Sequence, residues 1–395
     1  MIKLYTNDSY KKLYVNLLKL LIDDNSVFTE TWLVVPNHSA KQWLQKSLAR
    51  DLGICTQIKF IMPLSFNWEI LKNVAESNSS INVFSNDVIR WQIYQLINDS
   101  EEFGALRKES ALENFNLSEK IAQTLLKYND ERPELINDWD NGLFQLKKDQ
   151  EWQADMWIIL LTILKEKSPI QLLQKFNPAT DFKQKPNKII LFATEQLTTI
   201  QKDTILKLAD YQDIHLLLTN PSPNEYWFDI KPSATIARDK LFNTELAYLD
   251  NIGNSLLANL AYNKMAIFDA FLNHDIDLSM SFQQQKQQSS LLGSIKQDIF
   301  ELSENPKHCP VDNSIKIHSC HNCLREVEII KDEILDVLNN NHDLNPEDII
   351  VVSPDINDYV YAIKEVFNDA DEVATSSIPF HIDRVQLADN NYITS

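Results

Sequence analysis

Two short apolar runs on either side of a helical repeat constrain this chain more than any other feature. Residues 187–221 read NKIILFATEQLTTIQKDTILKLADYQDIHLLLTNP. Ile189–Phe192 and His215–Leu218 are each dominated by branched or aromatic apolar side chains, the signature of strands buried on both faces. Between them Ile200, Leu206 and Ala209 recur at helical spacing. Strand, crossover helix and strand make a βαβ unit, and βαβ units build parallel sheets. The fold class that follows is α/β.

The N-terminal residues repeat the same grammar. MIKLYTNDSYKKLYVNLLKLL gives a strand from Ile2 to Tyr5, a polar turn, and a helix with Leu13, Leu17, Leu18 and Leu21 on one face. Trp32–Val35 is a second buried strand. Ser39 is the expected N-cap of the helix that follows, with Trp43, Leu44 and Leu48 inward and Gly53 at its end. IKFIMPLSFNWEILKNV supplies a third strand or turn and another helix. From about residue 86 to 176 the pattern becomes helical throughout. In the last of these helices Trp152, Met156, Ile159, Leu160 and Ile163 share a face.

The organisation expected is therefore a split α/β domain over residues 1–85 and 177–310, interrupted by a helical subdomain at 86–176. Residues 221–310 are less regular, and SFQQQKQQSS reads as a linker. A second α/β domain begins at 311–395, with SIKIHSC and DIIVVSPD as strands and REVEIIKDEILDVLNN and DYVYAIKEVF as helices. The run HIDRVQLADNNYITS has the look of a sequence cut from something longer. Residues 1–20 lack a signal-peptide core, and no apolar run approaches a membrane span. Four cysteines do not make a disulfide scaffold. The expectation is a soluble, cytoplasmic protein with no membrane partner.

The strand–turn–helix at the N-terminus is where nucleotide-dependent motors keep their phosphate loop, so hydrolysis has to be tested first. A phosphate loop needs glycines whose backbone N–H groups wrap the anion, followed by Lys and Ser or Thr. The chain has only five glycines, and YTNDSYKK, despite Lys11 and Lys12, has none. Asp8 would set a carboxylate against phosphate. The second half of such a site is an acidic pair after a central strand. Here Ile189–Phe192 runs into a single Glu195, expected as a solvated residue at a helix start. No ATPase, no catalytic residue and no cofactor is expected.

Other chemistries are weakly represented. HCPVDNSIKIHSCHNC gathers His308, Cys309, His318, Cys320, His321 and Cys323, but only one Cys-x-x-Cys pair occurs and a strand separates the groups. No metal is assigned, and the cysteines read as a half-buried strand end. No Gly-x-Ser-x-Gly elbow is present. The net charge of −19 repels phosphate unless basic groups are gathered locally.

One place where they are gathered is PNHSAKQWLQKSLAR, which puts Lys41, Gln42, Gln45, Lys46 and Arg50 on the helix after the second strand. A helix N-terminus suits phosphate, and glutamine suits a base edge. Trp68 lies in SFNW at an element boundary and is divided between core packing and base stacking. Arg132, in DERPELINDW, has the ordinary expectation of a salt bridge.

AKQWLQ (40–45), SFNW (65–68), IHLLLTNP (214–221), YWFDI (226–230), GNSLLA (253–258), REVE (325–328) and DIIVVSPD (348–355), in this order and spacing, resemble the N-terminal third of the RecC family. That family is the gamma subunit of exodeoxyribonuclease V, the RecBCD helicase–nuclease. The resemblance implies a superfamily 1 helicase-like fold whose ATP site is lost. It implies a non-catalytic subunit that binds RecB-like and RecD-like partners and channels single-stranded and duplex-end DNA. It also implies scanning of the 3′ strand for the Chi signal. A purely structural scaffold for the motor subunits is the alternative. By residue type Gln42, Trp68 and Arg132 match the family's DNA-contact positions. Pro36, His38, Met62, Gln123, Thr124 and Leu126 stand where the best-known member has other residues. His38, Lys41 and Met62 complete the candidate DNA-binding set with the three that match.

Overall fold

The computed structural model describes residues 1–22, 30–53, 56–74, 84–143, 151–182, 185–223, 227, 254–261, 264, 267–268, 270–271, 274, 276–280, 289–303, 309–367 and 378–382. It divides into two compact units, Met1–Ser289 with Gly293–His308, and Ser290–Leu292 with Cys309–Ser395.

Among the described residues the larger unit is built on six parallel strands: β1 (Ile2–Asn7), β2 (Thr31–Val34), β3 (Ile58–Ile61), β4 (Lys188–Phe192), β5 (Ile214–Thr219) and β6 (Ile276–Met280). Their order is β3-β2-β4-β5-β1-β6, and every neighbouring pair is parallel. β6 was not legible in the irregular 221–310 region; it pairs with β1 in register Ile2 to Ile276.

Side chains alternate across the sheet, so each strand feeds two cores. Trp32, Val34, Ile189, Leu191, Leu216 and Leu218 enter one core. Leu33, Val35, Ile190, Phe192 and Leu217 enter the other. The second core is closed by α1 (Tyr10–Ile22) through Leu13 and Leu17, and by α2 (His38–Leu52) through Leu44 and Leu48. Tyr14 of α1 donates to Asp51 of α2 at 2.7 Å, tying the two helices together. The first core is closed by α3 (Phe66–Val74) and α9 (Thr199–Ala209) and by the helices between them.

Those intervening helices are α4 (Asn86–Asp99), α5 (Ala111–Glu131), α6 (Pro133–Asp140), α7 (Glu151–Leu164) and α8 (Pro169–Lys175). Ile89, Ile93 and Ile97 of α4 repeat every fourth residue and pack on Ile121, Ala122 and Leu125 of α5. Arg90 joins the pair by bonding Glu119 at 2.9 Å. The buried face of α7 keeps four of the five expected residues, Met156 and Leu160 buried and Trp152 and Ile159 packed against the same core, and differs at its edges. Ala154, Met156, Trp157 and Leu160 are buried, while Ile163 is exposed. A helix apolar nearly all round leaves its buried face to tertiary contacts. Here Trp157 goes inward and donates to Asp140 at 3.0 Å, and Ser168 bonds the same carboxylate.

Two local expectations on α2 are corrected. The N-cap is Asn37, whose side chain accepts from Ala40 N at 2.8 Å, not Ser39. Asn37 holds the extended backbone that a cap needs, and the helix has already begun at His38. Trp43 is 38% exposed and is not core. It lies over Tyr14 and Phe192, with ring centroids 5.5 and 6.1 Å away. Gly53 ends α2 at φ 75°, a conformation that favours glycine.

Further along the chain lie α10 (Ser255–Leu260) and α11 (Leu291–Glu301). The smaller unit contains α12 (Cys323–Asn340) and α13 (Val360–Phe367), which meet through Val327, Ala362 and Val366. The expected strands SIKIHSC and DIIVVSPD are not strands among the described residues. Ile317, Ile350 and Val352 are 83–93% exposed. A strand exists only where a ladder partner satisfies its backbone, and no described segment supplies one here. The smaller unit thus contains helices and no strand among the described residues. Most of SFQQQKQQSS, YWFDI and HIDRVQLADNNYITS lies outside them.

His215, in the centre of the sheet, is 4% exposed and stacks on Tyr5 at 5.9 Å. Burial, with the charges of Lys3 and Lys188, pushes its imidazole down to about 4. The unfolded chain therefore binds a proton below about pH 6.5 that the folded chain refuses until about pH 4. This contribution to stability is complete above pH 6.5 and is lost as the pH falls toward 4, by up to about 3 kcal/mol. In urea titrations at pH 7, 5.5 and 4.5, His215→Gln should flatten the acid slope relative to the parent chain.

Candidate functional site

Ligands of open parallel sheets bind outside the carboxyl ends of the strands. At that edge the chain supplies its own counter-charges. After β1, Lys12 Nζ bonds Asp8 at 2.7 Å, across one helical turn. After β4 the backbone turns through Ala193 at φ 49°, whose N–H donates to Leu217 O at 2.7 Å. Glu195 follows. It is not a solvated helix-start residue, because α9 begins at Thr199 behind a capping box formed by Thr198 and Gln201. Glu195 instead pairs with Lys264 Nζ at 2.8 Å, and Thr219 bonds both groups. The Tyr10 hydroxyl is pushed above its ordinary pKa by burial and by the charge of Glu195. A phosphate at this edge would meet Asp8 and Glu195, the opposite of what an anion site requires.

The sequence-predicted residues fall into two groups on opposite faces of the sheet. His38, the first residue of α2, is exposed, as is Gln42. Lys41 places its ammonium 6.0 Å from the Phe60 ring. Met62 follows β3 half-buried and packs against the same core as α2. Trp68 belongs to the other face. It is half-buried on α3 and stacks on Phe84 at 6.3 Å with 27° between planes. Arg132 is exposed at the joint of α5 and α6, its guanidinium 6.0 Å from the Tyr128 ring. No ion pair joins it to a described residue, contrary to expectation.

Trp68 and the end of α5 share a cleft where the sheet layer meets the helical subdomain. Leu64, Asn67, Trp68, Asn129, Asp130 and Gln201 line it. Gln201 is satisfied: its Nε2 donates to Pro63 O at 2.6 Å and its Oε1 accepts from Thr198 N at 2.9 Å. Asn67, 7% exposed, has neither amide atom hydrogen-bonded, and Asn129, 3% exposed, has an unpartnered Oδ1. Each such buried group costs about 1–3 kcal/mol of desolvation left uncompensated. Burial pushes the Asp130 carboxyl up to about 6. These residues escaped the sequence reading, because Asn67, Asn129 and Asp130 look like ordinary polar positions on helices. A shallower groove of about 220 Å³ lies between α5 and α7, beside Thr124 and Trp152.

Metal chemistry finds no support in the described residues. No group of three or more His, Cys, Asp or Glu side chains is arranged to hold an ion there. Cys320 and Cys323 are free thiols, and His308 lies outside the described residues. Nor is any helix among the described residues long and apolar enough to cross a membrane.

Comparison with known proteins gives a consistent result. The family model "RecC, N-terminal domain" matches residues 2–302. The "RecBCD enzyme subunit RecC" of Haemophilus influenzae is 26% identical over 99% of this chain and 41% of its own length. The Escherichia coli protein of the same name is 27% identical over 87% of the chain and 36% of its length. That of Mycolicibacterium smegmatis is 26% identical over 92% of the chain and 34% of its length. The chain thus spans about two fifths or less of these relatives.

The Lys264–Glu195 pair offers a direct check on the crevice. Both side chains are mostly buried, at 19% and 28% exposure. A double-mutant cycle with Lys264→Met and Glu195→Gln should return a coupling of about 1 kcal/mol in urea unfolding, reduced in 1 M salt.

Proposed function

Because the chain belongs to the RecC N-terminal domain family, we propose that it serves as the non-catalytic DNA-scanning part of a RecBCD-type helicase–nuclease. It works in double-strand break repair and recombination in the cytoplasm, beside RecB-like and RecD-like subunits. It guides DNA strands and reads the 3′ strand for a Chi signal, without hydrolysing nucleotide. The helicase-like ancestry of the sheet is part of the same reading. The carboxyl-end edge, where a motor would bind phosphate, is filled with the chain's own ion pairs.

The observation that carries the reading is the placement of Trp68 and the Arg132 joint. Trp68 borders a cleft between sheet and helical subdomain, and α5 delivers Asn129, Asp130 and then Arg132 to that neighbourhood. Trp68 offers a half-buried aromatic face for an unstacked base, and the exposed guanidinium of Arg132, two residues past Asp130, offers a phosphate contact. A docking-only scaffold is the second reading. It is favoured by the separation of Gln42 and Trp68 onto opposite sheet faces.

Fluorescence anisotropy with a labelled 3′-tailed oligonucleotide should show weak binding that falls with salt. Gln42→Ala and Arg132→Ala should each weaken it roughly three- to tenfold, and Arg132→Ala should lower the salt slope by about one. In the complex with partner subunits, the double variant should lose crosslinking to the 3′ strand. Unchanged crosslinking would favour the docking-only scaffold.

A further inference from the structure

We propose that the exposed seam between α4 and α5 is a docking face for another protein chain, and that the segment it takes is a basic amphipathic helix. None of the residues that form this seam lines the Trp68 cleft.

The seam carries rings where a surface helix ordinarily carries polar side chains. Ile89, Ile93 and Ile97 turn one side of α4 into the core. Trp91 stands on the opposite side of the helix and is 50% exposed. It meets Phe115 of α5 edge-on, with ring centroids 5.4 Å apart, and Tyr94 at 5.6 Å. Tyr94 and Phe115 close the triangle at 6.3 Å. Leu112, one helical turn before Phe115, is 67% exposed. Aromatic rings that hold one another rigidly at the surface, with a leucine beside them, are the material of interface centres.

The charges decide the occupant. Arg90 lies against the same rings, its guanidinium 4.8 Å from the Phe115 centroid and 5.9 Å from that of Trp91. Nη1 bonds Glu119 at 2.9 Å, Nη2 bonds Asp87 at 2.8 Å, and Nε is buried. A guanidinium clasped by two carboxylates is already neutralised and makes a poor phosphate clamp. Between residues 86 and 119 seven carboxylates stand against three basic side chains. Such a surface repels nucleic acid, and it repels a second copy of a chain whose net charge is −19. A segment rich in Lys or Arg is its electrostatic complement. A helix that flanks an apolar stripe with those residues meets the rings and the carboxylates at once.

The test uses the full 395-residue chain and two labelled synthetic peptides, each about 18 residues long and patterned as an amphipathic helix. Both carry a leucine stripe; one has lysine at every other position and the second has glutamate there. Fluorescence anisotropy should show the lysine peptide binding about tenfold more tightly than the glutamate peptide. Trp91→Ser should weaken the lysine peptide by about tenfold, and Leu112→Ser by about threefold. Leu112 is the more exposed of the two, so its variant keeps the test decisive if Trp91→Ser lowers Tm. Asp87→Lys, at a carboxylate 75% exposed beside Arg90, should weaken the lysine peptide and strengthen the glutamate one. Glu347→Lys, in the smaller unit, should leave both affinities unchanged, which separates the seam from the general attraction of an acidic chain for cations. A lysine peptide that binds no better than the glutamate peptide would overturn the docking face. So would binding indifferent to both Trp91→Ser and Leu112→Ser. Oligo-thymine binding abolished by Trp91→Ser would reassign the seam to nucleic acid. A dimer in sedimentation that Trp91→Ser dissolves would reassign it to a second copy.

Discussion

Burial of β4 and β5 on both faces is the constraint on which the larger unit depends. Ile190 and Phe192 point one way, Ile189 and Leu191 the other, and all four are essentially inaccessible to solvent. A parallel strand so placed needs a helical layer on each side. The chain provides α1 and α2 on one face. On the other it provides α3, α9 and the helical subdomain, which is packed into the same core through Trp157, Leu160 and Phe176. Both the orientation of α2 and the existence of the Trp68 cleft follow from that requirement.

The same architecture sets the charges at the carboxyl-end edge. A parallel sheet directs loops and helix N-termini to one edge, which is why anions bind there in so many α/β proteins. In this chain Asp8 and Glu195 bring negative charge to that edge, and Lys12 and Lys264 neutralise it internally. Polar groups without partners lie elsewhere, at the junction of sheet and subdomain, where two asparagines are buried beside Trp68.

Most of the sheet was legible in the sequence because fully buried strands have a strong local signature. β2, β4 and β5 were found to within a residue or two. β6 was not, because an edge strand with Asp277 and Ser279 has no continuous apolar run. The helix-face reading for α7 found Met156 and Leu160 but missed Ala154 and Trp157 and turned Ile163 inward, because apolar residues nearly encircle the helix. SIKIHSC and DIIVVSPD show the reverse error: a strand-like apolar stretch does not make a strand without a partner. In the candidate site, residue type marked Trp68 and Arg132 as worth following, yet gave Arg132 an ion pair it does not have among the described residues.

By itself the sequence determined the α/β class, the parallel βαβ core, the helical character of the described residues between 86 and 176, and the lack of a glycine-rich phosphate-loop motif. Each depends on local pattern or residue type, which a chain carries wherever it folds. Only the tertiary structure decided which face of α7 is buried, that Glu195 meets Lys264, and that Asn67 and Asn129 share one cleft with Trp68. Glu195 meets Lys264 across 69 positions of the chain, and the cleft draws together Asn67 and Asn129 from 62 positions apart. No local periodicity encodes such a meeting, because it is fixed by how the helical subdomain packs on the sheet.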